Sequence, residues 1–485
     1  MYHVFMNELQ KSIYNHRFLL CFLICLIFIP LSAHISVVEY KRELSDYEMN
    51  RGQYNKQARP SGTFRAVGFR YPSASSFLSV GIDRIIPQKA IVTRDGIEYR
   101  SKVTDNRGSY IVSLLGRLDF HFVMLYIVSL LIIILSFDMV AGEKENGTLS
   151  LVMANPLSRL KVLIAKGLAL FTLVAVSILT ASLLSLIILY QSQLISLFSA
   201  DFAIRFLLAL LVSLLYVLII GFISLAVSSM VRRSGIAIIF ILLIWCFYTL
   251  IIPKTTPLAV KLIYPVKAEY QVKNEIKALK QDLNKELAAK ENEITAQLFR
   301  QNQLSAQDIE RLERDTELEA VKAELDNAIT PLRQEYETRI SVETQKIVDD
   351  YSRRKQKQNR IAMNLSRLSP VACYSFIMGE LAQNGRAEQD AFEKRSKEFE
   401  YEVQSKVYAR YRFSSYALDG TWISGHYADF DPKDFEIPNL DYRPLSVMSV
   451  QDYVRLDVLL LCFYAFIWFF IYYYAFVKLD VRFQL

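Results

Sequence analysis

Six apolar runs punctuate an otherwise polar chain: Phe18 to Ile35, Phe122 to Phe137, Val162 to Tyr190, Phe202 to Met230, Ile236 to Ile252 and Val458 to Val477. A helix needs roughly 20 apolar residues to cross the hydrocarbon core of a bilayer, so each run predicts a membrane span. Ahead of the first, Val4, Phe5, Leu9 and Ile13 recur at helical spacing beside Asn7, Glu8 and Lys11. That pattern predicts a helix lying in the membrane interface over residues 1–17. A frayed polar terminus fits so short a segment equally.

The polar intervals differ from one another. In residues 36–121, Phe64 to Tyr71 and Ala90 to Tyr99 are rich in Val, Ile, Phe and Tyr, with turn residues at Pro72 and Asp95-Gly96, and they predict short strands. Residues 253–455 change to a helical period. Ile276, Leu279, Leu283, Leu287, Ile294 and Leu298 fall three, four and seven apart, and after a break near Gln303 to Ser305 the pattern resumes through Ile309, Leu312, Leu318, Val321 and Leu325. Two such helices can bury one seam as an antiparallel hairpin. Pro331 is expected to kink or restart the second arm, which continues through Tyr336, Ile340 and Ile347. The hairpin reads either as a spacer or dimer contact, or as a surface that receives or guides a substrate or a periplasmic partner. Farther on, Tyr408, Tyr411, Phe413, Tyr416, Trp422, Tyr427 and Phe430 suit a membrane-proximal rim or a small core.

The fold class is thus a mainly α membrane protein: six transmembrane helices, a small α+β outer segment and a long helical-hairpin outer domain. Its divisions are 1–17, 18–35, 36–121, 122–252, 253–455, 456–477 and a tail at 478–485. Cations set the orientation, because Lys and Arg accumulate on the cytoplasmic side. Lys11 and Arg17, then Lys144, Arg159 and Lys161, then Arg232 and Arg233, then Lys478 and Arg482 all belong to that side, and Gln191 to Ala200 on the other carries none. Both termini are expected in the cytoplasm of a bacterium, with the protein in its inner membrane. The first run could instead be a cleaved signal peptide, since Lys11 and Arg17 precede an apolar core that ends near Ser32 and Ala33.

Composition agrees with a chain part in lipid and part in water: 485 residues, 52% hydrophobic and 22% charged, with a net charge of +7. Fifty-six basic against 49 acidic residues is too even a balance to argue for nucleic acid. Cys21, Cys25, Cys246 and Cys462 lie in apolar runs and leave Cys373 alone in a stretch expected to face water, so no disulfide framework offers itself. Five scattered histidines and no HExxH or CxxC predict no metal site.

Candidate chemistry concentrates in the cytoplasmic connection FDMVAGEKENGTLSLVMANPLSRLKVLIAKG, Phe137 to Gly167, whose core is the loop 138–160. Asp138 ends a span, Glu143 and Glu145 bracket Lys144, and Gly147 precedes Thr148, which is expected to cap a short helix. Leu149, Val152 and Met153 fall on one face of that helix before Pro156 stops it. An apolar stub with acidic flanks, tied at both ends to spans, can pass a push from a partner to the membrane helices. This run resembles the signature of type-2 ATP-binding-cassette permeases in Asp138, Glu143, Glu145, Gly147, Thr148, Leu149, Pro156, Arg159 and Lys166. The outer RYPSASSFLSVGID from Arg70, the entry from Gly116 and RLSPVACYSFIMGELAQNG from Arg367 are similar to a subgroup with a large outer domain before the last span. The resemblance implies that the loop, Val152 included, is the coupling helix that docks on an ATPase subunit. It implies as partners two cytoplasmic ATPase subunits, a second permease, identical or related, and membrane lipid.

The chain has no GxxxxGK followed by Ser or Thr, so nothing in it cradles nucleotide phosphates, and ATP and Mg belong to the partner ATPase. The chain itself is therefore not expected to be an enzyme, and no catalytic residue is assigned. Asp119, Arg205, Asp457 and Asp138 sit near span ends rather than deep in the bundle, which disfavours ion coupling. Span six is dense in aromatics. Phe466, Trp468, Phe469 and Tyr473 are candidates for a hydrophobic substrate path, although packing and interfacial anchoring explain them as well. The functional expectation is the permease subunit of an exporter, acting on a hydrophobic, lipid-linked or peptide substrate. The alternative is a sensor, scaffold or mechanotransmitter that works on a periplasmic partner through the hairpin.

Overall fold

The computed structural model describes residues 2–14, 16–57, 66–83, 85–93, 96–101, 118–154, 158–192, 199–302, 319–408 and 439–478. Among the described residues six helices are long and apolar enough to cross a membrane: His16–Tyr54, Phe120–Glu145, Arg159–Gln191, Ala200–Met230, Ser234–Ile263 and Val447–Val477. The mainly helical membrane architecture expected from the sequence is thereby present. The chain divides into two compact units, one formed by Met1–Pro253 with Arg367–Leu485 and the other by Lys254–Ser366.

In the first unit the core lies between spans two, three and four, where Val123, Ile132, Ile178, Ile219 and Tyr216 are fully or almost fully buried. Serines at the same interfaces, Ser136, Ser213, Ser224 and Ser228, let the helices approach closely and donate back to backbone or to each other. Spans two and five each contain a widened π turn, at Val123–Val128 and Phe247–Ile251. Such a turn disturbs the regular ladder, and its carbonyls find outside donors. Leu125 O accepts from Ser129 Oγ at 2.6 Å and Tyr216 Oη at 3.4 Å, and Tyr248 O accepts from Ser369 Oγ at 2.7 Å.

Two departures from the sequence reading have plain causes. The first helix does not stop at Ile35 but runs from His16 to Gln57, because Val37 to Gln57 is rich in helix-forming Glu, Lys, Arg, Tyr and Met and meets no Gly until Gly52. The helix Pro370–Leu381, expected in the outer domain, is buried among the spans, and Cys373 with it is fully enclosed rather than water-exposed. At 12 residues it is too short to register as a span, yet it is apolar enough to fill the bundle. Ser369 caps its start by accepting from Val371 N, and Tyr374 stacks on Tyr216 with ring centroids 4.5 Å apart.

Arg205, Asp457 and Asp119, charged residues buried near span ends, each have partners. Arg205 donates to Asp201, 2.6 Å away, and to the carbonyls of Leu381 and Leu445. Arg367 grips both oxygens of Asp457 at 2.6 and 2.9 Å. Asp119 caps span two by accepting from Phe122 N, and it also accepts from Val80 N.

The expected strands form a four-stranded sheet of order β3-β2-β1-β4, with β1 Ala66–Arg70, β2 Pro87–Thr93, β3 Gly96–Ser101 and β4 Asp441–Tyr442. β1 and β2 pair antiparallel with Ala66 opposite Val92, and β4 adds parallel to β1. Helix Arg386–Val403 covers the sheet through Phe392, Phe399 and Val403, which meet Ala66, Ala90, Val92, Leu440 and Tyr442. Between β1 and β2, Phe77 and Leu78 leave the sheet for the membrane core, where Phe77 lies 5.6 Å from Phe202.

The second unit is the predicted hairpin, made of Glu269–Gln301 and Glu319–Ser366. Its pairs run antiparallel. Arg333 bonds Glu291 at 2.6 Å, Tyr336 approaches Glu286 at 3.5 Å, and Gln358 donates to Tyr264 O at 2.7 Å. Leu298, Leu325 and Ile329 close the seam, with Ile294 against them. Pro331 does not restart the second arm, which is one helix through it. Pro331 is exposed, so its ring displaces no packed neighbour. Ser305 and Asp308, spaced as a capping box at the start of the second arm, lie outside the described residues with Ile309, Leu312 and Leu318, as do Tyr411, Phe413, Tyr416, Trp422, Tyr427 and Phe430.

Candidate functional site

The connection after span two is built as two short helices, Ala141–Glu145 and Thr148–Ala154, joined by a tight turn. Ser136 ends the preceding helix, and Ser228 of span four takes over. Its hydroxyl donates to Phe137 O at 2.8 Å and accepts from the N–H groups of Val140 and Ala141 at 3.2 and 2.9 Å. Gly147 makes the turn at φ 70, the left-handed conformation that glycine adopts without strain, and its N–H bonds Lys144 O at 3.2 Å. Because Gly147 turns the chain, Thr148 already lies inside the second helix. Instead of accepting as a cap, its hydroxyl donates back to Glu143 O at 3.3 Å.

Three charges of this connection reach three helix ends, each with the sign that complements the helix dipole. Lys144 Nζ donates to the carbonyls of Ser229 and Val231, the latter at 3.1 Å, where span four ends. Glu145 Oε2 accepts from Ser234 N at 2.9 Å and Ser234 Oγ at 2.7 Å, where span five begins. Arg159 Nη1 donates to Val477 O at 2.6 Å, where span six ends. Unpaired backbone groups at helix ends need partners, and here the loop supplies them.

Beneath this layer Lys166 of span three is fully buried. Its Nζ lies 2.7 Å from Glu8 Oε1, 2.8 Å from Glu143 Oε1 and 3.1 Å from Met139 O. Glu8 belongs to the N-terminal helix Tyr2–Ile13, so one ammonium joins that helix, the loop and span three. Arg17 adds a second tie: it pairs with Asp138 at 2.5 Å and lies over the Phe137 ring at 5.2 Å. Tyr472 of span six donates to Leu163 O at 3.2 Å close by.

The stub is not apolar on its outward side alone. Leu149 is 3% exposed and Val152 and Met153 pack on the bundle, whereas Leu151, which the helical pattern did not single out, is 70% exposed. The structure therefore brings Asp138, Glu143, Glu145, Gly147, Thr148, Leu149, Val152, Arg159 and Lys166 into one region, while Pro156 lies outside the described residues. Glu8, Ser228, Ser234 and Leu151 were missed. A serine opening an apolar run could have flagged Ser234 as a helix start. The aromatic candidates of span six do not share one surface. Phe466 is 66% exposed, Phe469 packs 5.3 Å from Phe222, Trp468 meets Tyr248 edge-on, and Tyr473 sits beside Phe470.

Residues 2–416 match the sequence model of the family described as ABC-2 family transporter protein. Comparison with curated proteins gives no match.

Proposed function

The chain belongs to the ABC-2 transporter family, and from that premise we propose that it is the membrane-spanning permease subunit of an ATP-driven exporter. Family membership implies a separate ATPase as partner. A second permease, identical or related, completes the assembly in this reading, in a bacterial inner membrane with both termini cytoplasmic. Loop 138–160 is the place where the ATPase pushes.

One observation carries the mechanical part: the loop is fastened at once to the ends of spans four, five and six through Lys144, Glu145 and Arg159. Through Glu143 and Lys166 it is also tied to span three and the N-terminal helix. A displacement of the stub cannot be absorbed by the loop alone, because every tie is to a helix end or a buried cation. Leu151 and the Glu145–Thr148 corner are among the described parts of the loop that are exposed. When the ATPases close on ATP, the stub moves, the helix ends follow, and a hydrophobic, lipid-linked or peptide substrate is moved outward or drawn from the membrane.

The test is a mild-detergent pull-down of the chain from its native membrane, with bound proteins identified and vanadate-sensitive ATP hydrolysis assayed. A stoichiometric ATPase that is lost with Leu151→Asp supports the reading. A clean preparation without ATPase and without hydrolysis would overturn it and leave the hairpin as the working end of a sensor or scaffold.

A further inference from the structure

The second arm of the hairpin, helix Glu319–Ser366, carries a stripe of exposed charges along one side. Glu324, Glu335, Lys346 and Lys357 follow one another at intervals of eleven residues. Eleven residues make almost three whole turns, so the four stay within about 60° of one another while the helix advances about 50 Å. Val342, 61% exposed, falls in the same band. Leu325, Ile329 and Tyr336, which face the first arm, lie about a quarter turn away, so the hairpin's own seam leaves the stripe uncovered. Glu324, Glu335 and Lys346 have no hydrogen-bond or ion-pair partner among the described residues, and Lys357 lies over the Tyr264 ring at 5.3 Å.

The charges are sorted along the helix, acids toward the hairpin tip and bases toward Ser366. Two such stripes laid side by side in the same direction would oppose like charges. Laid in opposite directions they are complementary, and the register is fixed as well. Positions 324 and 357 are equidistant from the point between Ile340 and Ser341, and so are positions 335 and 346. A two-fold axis through that point sets Glu324 against Lys357 and Glu335 against Lys346 of a second copy, each pair made twice in one isologous contact. The two Val342 side chains then flank the axis and give the contact an apolar centre. Exposed ion pairs are individually weak, so the stripe chooses direction and register, and confinement of both copies to one membrane supplies the effective concentration.

We propose that this stripe is a contact between two copies of the chain, with the second arms antiparallel and centred between Ile340 and Ser341. The proposal rests on the two-permease assembly described above and makes its second member an identical copy.

Two differently tagged full-length copies would be co-expressed, one with Glu335→Cys and the other with Lys346→Cys, and the native membranes treated with a short bismaleimide. The chain with its own cysteines alone sets the background. A crosslink joining the two tags is expected in the mixed pair and not where both copies carry Glu335→Cys, whose sites would be about 16 Å apart along the helices. In copies carrying Val342→Cys, the added Glu335→Lys is expected to cut the crosslink about fivefold, and Glu335→Lys/Lys346→Glu, which exchanges both signs, to restore it. A Glu335→Cys pair that crosslinks as well as the mixed pair would mean parallel arms. That result, no crosslink in any pair, or no rescue by the double exchange overturns the proposal. A pull-down from the same membranes reports the broader reading separately. ATPase bound without the crosslink removes the stripe alone, whereas the crosslink without ATPase keeps the pairing and removes the exporter.

Discussion

Lys166 shows what one side chain can demand of its surroundings. An ammonium with no exposed surface is tolerated because two carboxylates and a carbonyl lie within 3.1 Å of it, and removing one partner of such a set leaves an uncompensated charge. Lys166→Met removes the buried cation and leaves Glu143 only its longer pair with the exposed Lys11, at 3.4 Å, which is expected to destabilise the first unit by about 3 kcal/mol. Glu8→Gln, which keeps an acceptor, is expected to cost less, and denaturant titration in detergent compares the two. A second residue sets a pH dependence. Glu380 accepts from the N–H groups of Arg386 and Ala387 at 2.7 and 3.2 Å, with Gly385 pressed against its carboxyl where any side chain would collide. Burial raises its pKa from 4.5 to about 7 despite those donors and the nearby Arg386 charge. The folded state therefore holds a proton that the unfolded state has released between those values, and stability falls as pH rises through that window before levelling above it. At about 1.4 kcal/mol per unit the loss is about 3 kcal/mol. Melting curves from pH 4.5 to 8 should slope downward for the native chain and lie flatter for Glu380→Gln. Equal slopes would remove Glu380 as the cause.

At the scale of elements, the stub Thr148–Ala154 has two sides with different duties. Leu149→Asp places a charge in the bundle and is expected to prevent folding, whereas Leu151→Asp changes only an outward side chain and is expected to leave the melting temperature unchanged. Gly147→Ala forces a side chain into the left-handed turn at φ 70, at a cost of about 1 kcal/mol. The spans were legible because their apolar runs exceed what any soluble helix needs. The hairpin was legible because Leu283, Leu298 and Leu325 keep a helical period over many turns. Helix Pro370–Leu381 was not, since a mostly apolar stretch of 12 residues reads equally as a soluble core helix. In the loop the charges stood out, but their partners did not. Lys144 meets residues 85 and 87 positions later, and Arg159 meets one 318 positions later, a distance at which local pattern carries no signal.

Across the whole molecule, the hairpin unit enters and leaves through one point, because Gln358 bonds Tyr264 O at 2.7 Å and Lys357 lies over the Tyr264 ring. Residues Val266 to Lys357 can therefore be replaced by a short Gly-Ser linker without stretching the chain. The first unit has its own core, so its melting in detergent is expected to be unchanged by that excision, and a collapse to aggregate would mean that the hairpin is needed for folding. The ties of loop 138–160 also impose an order in time. Lys144 and Glu145 leave the ribosome well before the residues they bind, Ser229 to Ser234. At about 5–20 residues per second that is a wait of roughly 4–17 s with a cation and an anion unmatched. Arg159 waits longer still, until the last span has been made. A chain halted before its final helix thus displays loop 138–160 unsealed, a mark by which a membrane protease could tell an unfinished subunit from a finished one.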